Sequence, residues 1–173
     1  MGPHADPIDL ALAEESIRGL CQGLPAVTAD PGGLASHEQT LYGAYLAAVA
    51  FASAGSGPHH KMCHVLGGLF DLPHAQTHAV VLPHVLALNA PHTPEAERRI
   101  ASALTAHTAV EGLAALYARL DAPTALRDCG MPEDGIAEAV EPILAAVSSS
   151  APALTRDSLT ALLRAAWTGE SPR

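Results

Sequence analysis

The sequence predicts an all-α protein, a multi-helix bundle, and three observations carry that expectation. Hydrophobic residues make up 49% of the chain but aromatic ones only 3%, so alanine, leucine and valine must build the core. Alanine and leucine lose little side-chain freedom in a helix, and β-branched runs are scarce. Apolar positions recur at intervals of three and four, the period of a one-sided helix. No βαβ alternation is present, and neither GxGxxG nor GxxxxGKS/T occurs. The one β-like pair, Val80-Val81, falls inside a helical pattern. At 173 residues the chain is expected to form a single helical domain, 1–173, large enough to bury roughly two thirds of its unfolded surface.

From Pro7 to Leu24 the apolar positions Ile8, Leu12, Ile17, Leu20 and Leu24 fall at helical spacing, with Asp6 placed as N-cap and Pro7 in the first turn. PAVTADPGG, residues 25–33, reads as a loop from its prolines and glycines. A second helix is expected over 34–54, where the stretch GAYLAAVAFASAG suits close packing and burial on more than one face. GSGP breaks the chain, a third helix carries HHKMCHVLGGLF, and DLP makes a turn. A fourth helix runs from His74 to about Asn89, kinked by the ring of Pro83. After the NAPHTP loop, helices are expected near 94–106, 108–120, 124–129, 133–147 and 156–167, the last two flanking an SSSAP linker at 148–152.

Charge and cysteine usage narrow the function. A net charge of −9 with a single lysine, Lys61, argues against a nucleic-acid surface, which needs basic groups to displace counterions. Cys21, Cys63 and Cys129 are odd in number, far apart and without a CxxC pair, so a reducing cytoplasm fits better than a disulfide framework. The N-terminus lacks the charged start and apolar run of a signal peptide. No uninterrupted apolar run reaches membrane-spanning length, so no membrane partner is expected.

The stretch GPHHKMCHVLGGLFDLPHAQTHAVVLPH, residues 57–84, holds six of the ten histidines. His60 and His64 are four apart and share a helix face; His74 and His78 repeat that spacing on the next helix. A short turn can bring His60, His64 and His74 around one cavity. Imidazole serves there as a ligand for Zn, Fe or Ni or as an acid/base group near neutral pH. The bland alternative is that these are satisfied structural or exposed histidines. Gly67-Gly68 raise the functional reading, since each costs a helix about 1 kcal/mol relative to alanine. That cost goes with close approach of another backbone or a ligand. Lys61 reads either as a solvated side chain or as a contact for a substrate carboxylate. His59 lies about 100° around the helix from His60 and suits a supporting or surface role. His84 follows Pro83 and can bond a freed carbonyl or touch a substrate. Cys63 reads as a buried structural thiol, because adjacent helical residues point apart. His4, His37, His92 and His107 read as surface residues.

The longer segment GPHHKMCHVLGGLFDLPHAQTHAVVLPHVLALNAP resembles the signature of the iron-containing (group III) alcohol dehydrogenase superfamily, to which dehydroquinate synthases are related. Within it, the maleylacetate reductase branch is the most similar, and AEESIRGLCQGLPAVTADP and LYGAYLAAVA extend the likeness over the chain. The resemblance implies the C-terminal helical domain of a two-domain enzyme whose N-terminal α/β domain binds a nicotinamide cofactor. It places two metal-ligand histidines on His60 and His74, and a histidine of acid/base or proton-relay role on His64. The family's other two ligands, an Asp (Asn in many maleylacetate reductases) and a His, fall before the start of this sequence. So does the nucleotide-binding domain, and no NAD is expected from this chain alone.

Three readings follow. One is a repurposed domain doing acid/base chemistry (elimination, cyclisation or isomerisation) on a polar or anionic small molecule. In it His64 is the acid/base, His60 and His74 polarise the substrate, and Lys61, His78 and His59 bind it. The second is one subunit of a split NAD(P)-dependent, maleylacetate-reductase-like oxidoreductase. The third is a non-catalytic interaction module or truncated remnant. In all three, a homodimer or a separate partner covers the face left by the missing domain. A divalent metal, Fe or Zn, would sit on His60 and His74. Those two ligands fall short of the usual three plus solvent, so a metal-free site is favoured unless His64, His78 or a second copy completes the set.

Overall fold

A computed structural model describes residues 5–147 and 154–172; the expected SSSAP linker lies outside the described residues. In chain order it contains α1 (Pro7–Ala29), α2 (Leu34–Ala54), α3 (Pro58–Phe70), α4 (His74–Asn89), α5 (Pro94–Leu104), α6 (Ala109–Leu120), α7 (Gly135–Val147) and α8 (Arg156–Thr168). Short 3-10 turns occupy Ala90–His92 and Leu126–Cys129, and no strand occurs among the described residues. The all-helical expectation holds. None of these helices is long and apolar enough to cross a membrane.

The chain is organised in two compact units: one drawn from Met1–Gly55 and Ala90–Asp121, the other from Ser56–Asn89 and Ala122–Arg173. In the first, α1 packs along α2 and also meets α5 and α6. Asp6 opens α1 with a capping box: its carboxylate accepts from the Ile8 and Asp9 amides, and Asp9 accepts from the Asp6 amide. The helix then runs through Pro25 to Ala29, where a loop was expected. Proline removes one ladder bond, yet Thr28 Oγ1 donates to the Leu24 carbonyl and the Asp30 amide to that of Ala26, closing the last turn. Tertiary contact helps hold it there. A Cβ on Gly23 would stand 2.6 Å from the Thr40 nitrogen, and one on Gly43 2.8 Å from that of Leu20, so the two backbones touch at these glycines. Glu14 binds Arg99 across to α5 at 3.1 Å.

The expectation that α2 is buried on more than one face is corrected. Gly43, Ala50 and Ala54 are its buried residues, while Leu34, Leu41 and Tyr45 remain 74%, 67% and 68% exposed. Small residues face α1 because only they permit so close an approach, which turns the large apolar ones outward.

The second unit holds the larger core. Met62 and Leu66 of α3, Val80 and Val81 of α4, Ile136 and Ile143 of α7, and Leu159 and Leu163 of α8 are all buried, with Leu126 among them. The Trp167 indole donates to the Met131 carbonyl at 2.9 Å. Between α3 and α4, Asp71 adopts a left-handed conformation (φ 52°, ψ 40°) that a short polar side chain tolerates. This turn folds α4 back against α3 and sets which histidines meet.

Candidate functional site

Five histidines from α3 and α4 form one cluster. His78 is its hub: its ring centroid lies 4.3 Å from that of His74, 4.6 Å from His60, 4.9 Å from His59 and 6.1 Å from His64. His64 lies 5.7 Å from His74 and 5.9 Å from His60. The expected convergence of His60, His64 and His74 is therefore present, with His78 between them. His64 and His74 are exposed and His60 is half-buried, so the cluster opens to solvent along the His64 side of α3.

His59 does a different job. Its Nε2 donates to the His78 carbonyl at 3.0 Å and lies 3.5 Å from Cys63 Sγ, which tethers α3 to the backbone of α4 beneath the cluster. Burial lowers its pKa, so it is neutral near pH 7 and donates from Nε2. Cys63 is buried as expected, its thiol pushed up to about 12 by burial, which makes it inert as a nucleophile. Lys61 is half-buried on the same helix.

Electrostatics disfavour charging the middle of the cluster. Burial first, then the four neighbouring imidazoles, lower the pKa of His78 to about 4, and burial with His64 and His74 lowers that of His60. Neutral imidazoles offer lone pairs, and one ring nitrogen from each of His64, His74 and His78 lies within 4.8 Å of the others. His59, Cys63 and His78 make a second such group. The His78 Nε2 is buried without a hydrogen-bond partner. An all-imidazole donor set with an orphaned buried nitrogen fits a borderline divalent metal of the iron or zinc kind. His60, which the family resemblance pairs with His74 for this task, stands just outside the tighter trio.

Other candidates separate from the site. His84 is 6% exposed and lies beside Leu88, Leu162 and Glu170, away from the cluster. His37 is exposed and bonds the Pro31 carbonyl at 2.7 Å, and His92 and His107 are exposed too. His4 lies outside the described residues. Among the described residues and apart from their own helix backbone, a Cβ on Gly68 would meet nothing within 4 Å, and one on Gly67 only the Leu72 carbonyl oxygen at 4.0 Å. No backbone among the described residues explains the two glycines, and they leave a bare strip beside His64. His78 was legible as the i+4 partner of His74, as a substrate contact and as a completing ligand, but not as the hub; its central place depends on the Asp71 turn.

A helical domain carrying an open, many-histidine site on one helix hairpin is the class of protein that fold and site define. The model of the Fe-containing alcohol dehydrogenase family, C-terminal, matches residues 1–167, and the chain belongs to that family. It is 45% identical to maleylacetate reductase 2 of Cupriavidus pinatubonensis, over 98% of this chain and 48% of the relative. It is 42% identical to the maleylacetate reductase of Sphingobium indicum, over 96% of this chain and 47% of that protein. A crystal structure of an iron-containing alcohol dehydrogenase from Corynebacterium glutamicum superposes with a TM-score of 0.95 at 56% identity, covering 99% of this chain and 48% of that one. The chain thus spans about half the length of the relatives it matches and corresponds to their C-terminal, helical part.

Proposed function

We propose that this chain is the substrate-holding half of a maleylacetate-reductase-like oxidoreductase and works with a nucleotide-binding half that carries NAD(P)H. The carrying observation is the intact five-imidazole cluster in a chain 42% and 45% identical to maleylacetate reductases along nearly its whole length. The exposed apolar residues Leu34, Leu41 and Tyr45 of α2 support a second polypeptide surface over the first unit.

Reduction of an electron-poor double bond or carbonyl needs a hydride and a proton. The hydride comes from the nicotinamide of the other half. His64, exposed at the mouth of the cluster, gives the proton. His60 and His74 orient the substrate's carbonyl or carboxylate oxygens, and Lys61 pairs with a carboxylate. His59 holds the α4 backbone at His78 and so fixes the distance between the two histidine-bearing helices. A divalent metal on this set, when bound, polarises the substrate oxygen.

The test is reconstitution. The nucleotide-binding half of the Cupriavidus reductase, made as a separate chain, is mixed with this one, and NADH oxidation is followed with maleylacetate. Oxidation by the pair and by neither half alone is expected; folded halves that associate yet leave NADH untouched overturn the proposal.

A second reading is acid/base catalysis without nicotinamide. It is favoured by one observation: the cluster and the helices behind it, α3, α4, α7 and α8, all belong to the same unit of this chain. It requires turnover by the chain alone that disappears in the His60→Ala/His64→Ala/His74→Ala variant.

A further inference from the structure

On the side of α4 away from the histidine cluster lies a cavity of about 350 Å³, between α4, α8 and the residues that follow α8. Small-molecule sites run from about 300 to 1,000 Å³. His84 lines this cavity, six residues after His78 and so about 240° around the helix from the hub of the cluster. We propose that the cavity is a second binding site, for a small neutral molecule that carries one hydroxyl on an apolar ring, the chemistry of a phenol.

His84 sets the polar end of the ligand. It is 6% exposed, and among the described residues no hydrogen bond reaches its ring; burial and the charge of Glu170 are what act on it. Buried side-chain polar atoms nearly always have a partner, and the cavity is where this ring can find one. Burial keeps the ring neutral near pH 7, with one N–H donor and one lone pair. A hydroxyl both donates and accepts, so it meets either tautomer of that ring. Ser158 also lines the cavity but is already engaged, its hydroxyl donating to the Thr155 carbonyl at 3.1 Å.

Walls and charge set the rest. Leu88, Leu162, Ala165 and Pro172 give the cavity apolar sides. Arg164 and Glu170, both exposed, border it with opposite signs, and Arg164 lies 3.7 Å from Glu133. The border therefore offers a ligand no net charge. The burial that keeps His84 neutral also penalises a carboxylate or ammonium placed against it. A phenol has no hydrogen on its hydroxyl-bearing carbon and so gives up no hydride, which separates this site from the proposed reductase chemistry.

The test is titration of the 15N-labelled 173-residue chain with phenol, toluene and benzoate, followed by NMR. It contains neither NADH nor a partner half, so its failure leaves the reductase reading standing. Phenol should give saturable shifts at the Leu88 and Ala165 amides. The ring nitrogens of His84 should move with phenol and stay in place with toluene, and benzoate should bind at least about tenfold more weakly than phenol. Ala161 is exposed and lines the cavity, so Ala161→Leu should leave the fold intact and weaken phenol at least about tenfold by filling the space. His84→Leu should lower the phenol-to-toluene affinity ratio roughly three- to tenfold, the worth of one hydrogen bond. If that variant folds poorly, the parent's ring signals and Ala161→Leu decide the matter. Four results overturn the proposal: no saturable phenol binding, a His84 ring that phenol does not move, benzoate bound as tightly as phenol, or Ala161→Leu without effect.

Discussion

Replacing Gly68 by alanine should make the isolated chain more stable and the assembled enzyme worse. Gly68 lies in the last turn of α3, four residues beyond His64, and a Cβ there meets no heavy atom within 4 Å. The gain is the difference between glycine and alanine in a helix, about 0.5–1 kcal/mol, much of it from the lower freedom of the unfolded chain. Gly67, with only the Leu72 carbonyl oxygen at 4.0 Å, adds a similar amount. The double variant then gains about 1–2 kcal/mol, which at about 2–4 °C per kcal/mol raises the melting temperature by roughly 2–8 °C. Urea unfolding followed by circular dichroism reads the change as a shift in midpoint at constant slope. In the reconstituted reductase the same methyl groups stand on the open face next to His64, where the partner half or substrate has to approach, and KM for maleylacetate should rise. Gly43→Ala is the control of opposite sign. Its Cβ falls 2.8 Å from the Leu20 nitrogen, and the overpacking should cost about 1–3 kcal/mol. Destabilisation of the isolated chain by Gly68→Ala would refute the claim that no described residue packs against α3 there.

The core, the first helix cap and one histidine outside the site give further expectations. Leu163, 0% exposed between α8 and its neighbours, should cost about 2–5 kcal/mol on truncation to alanine, read by urea denaturation. Asp6→Ala removes the capping box of α1 and should cost about 0.5–2 kcal/mol, with amide exchange accelerating first in that helix's opening turn. Burial lowers the pKa of His84 from the ordinary 6.5, against a smaller upward pull from Glu170. The unfolded chain therefore takes up this proton first as pH falls. His84's share of stability is whole above 6.5 and is lost as pH drops through its folded value. His84→Gln should flatten that part of the pH–stability curve, measured as the urea midpoint across the acid range.

Helix periodicity and punctuation made most of the fold legible. α4 runs from His74 to Asn89 as its pattern indicates, and Asp6 caps α1 as its position suggests. Local signals failed where tertiary contact decides. Pro25 does not end α1, because the turn around it lies against α2 through Gly23. The small residues of α2 signalled close packing correctly, but they sit together on the α1 side, leaving Leu41 and Tyr45 outside. For the site, the i, i+4 pairs marked the right helices and the right faces. Which histidine becomes the hub depends on the rotation of α4 about its axis, set by the left-handed Asp71 and the His59 tether, and spacing along a sequence does not encode that angle. The same holds for Gly67 and Gly68, whose composition signalled a close approach that none of the described residues supplies.

The most direct test of the central claim compares the parent chain with its His60→Ala/His64→Ala/His74→Ala variant, each assembled with the nucleotide-binding half of a maleylacetate reductase. Assembly is checked by sedimentation, and turnover by NADH oxidation with maleylacetate. Because these rings lie at the open side of the cluster and not in the core, the variant should fold and assemble like the parent and lose oxidation by at least about a hundredfold. A variant that assembles and oxidises NADH at the parent's rate would contradict the account and move the chemistry away from the histidine cluster.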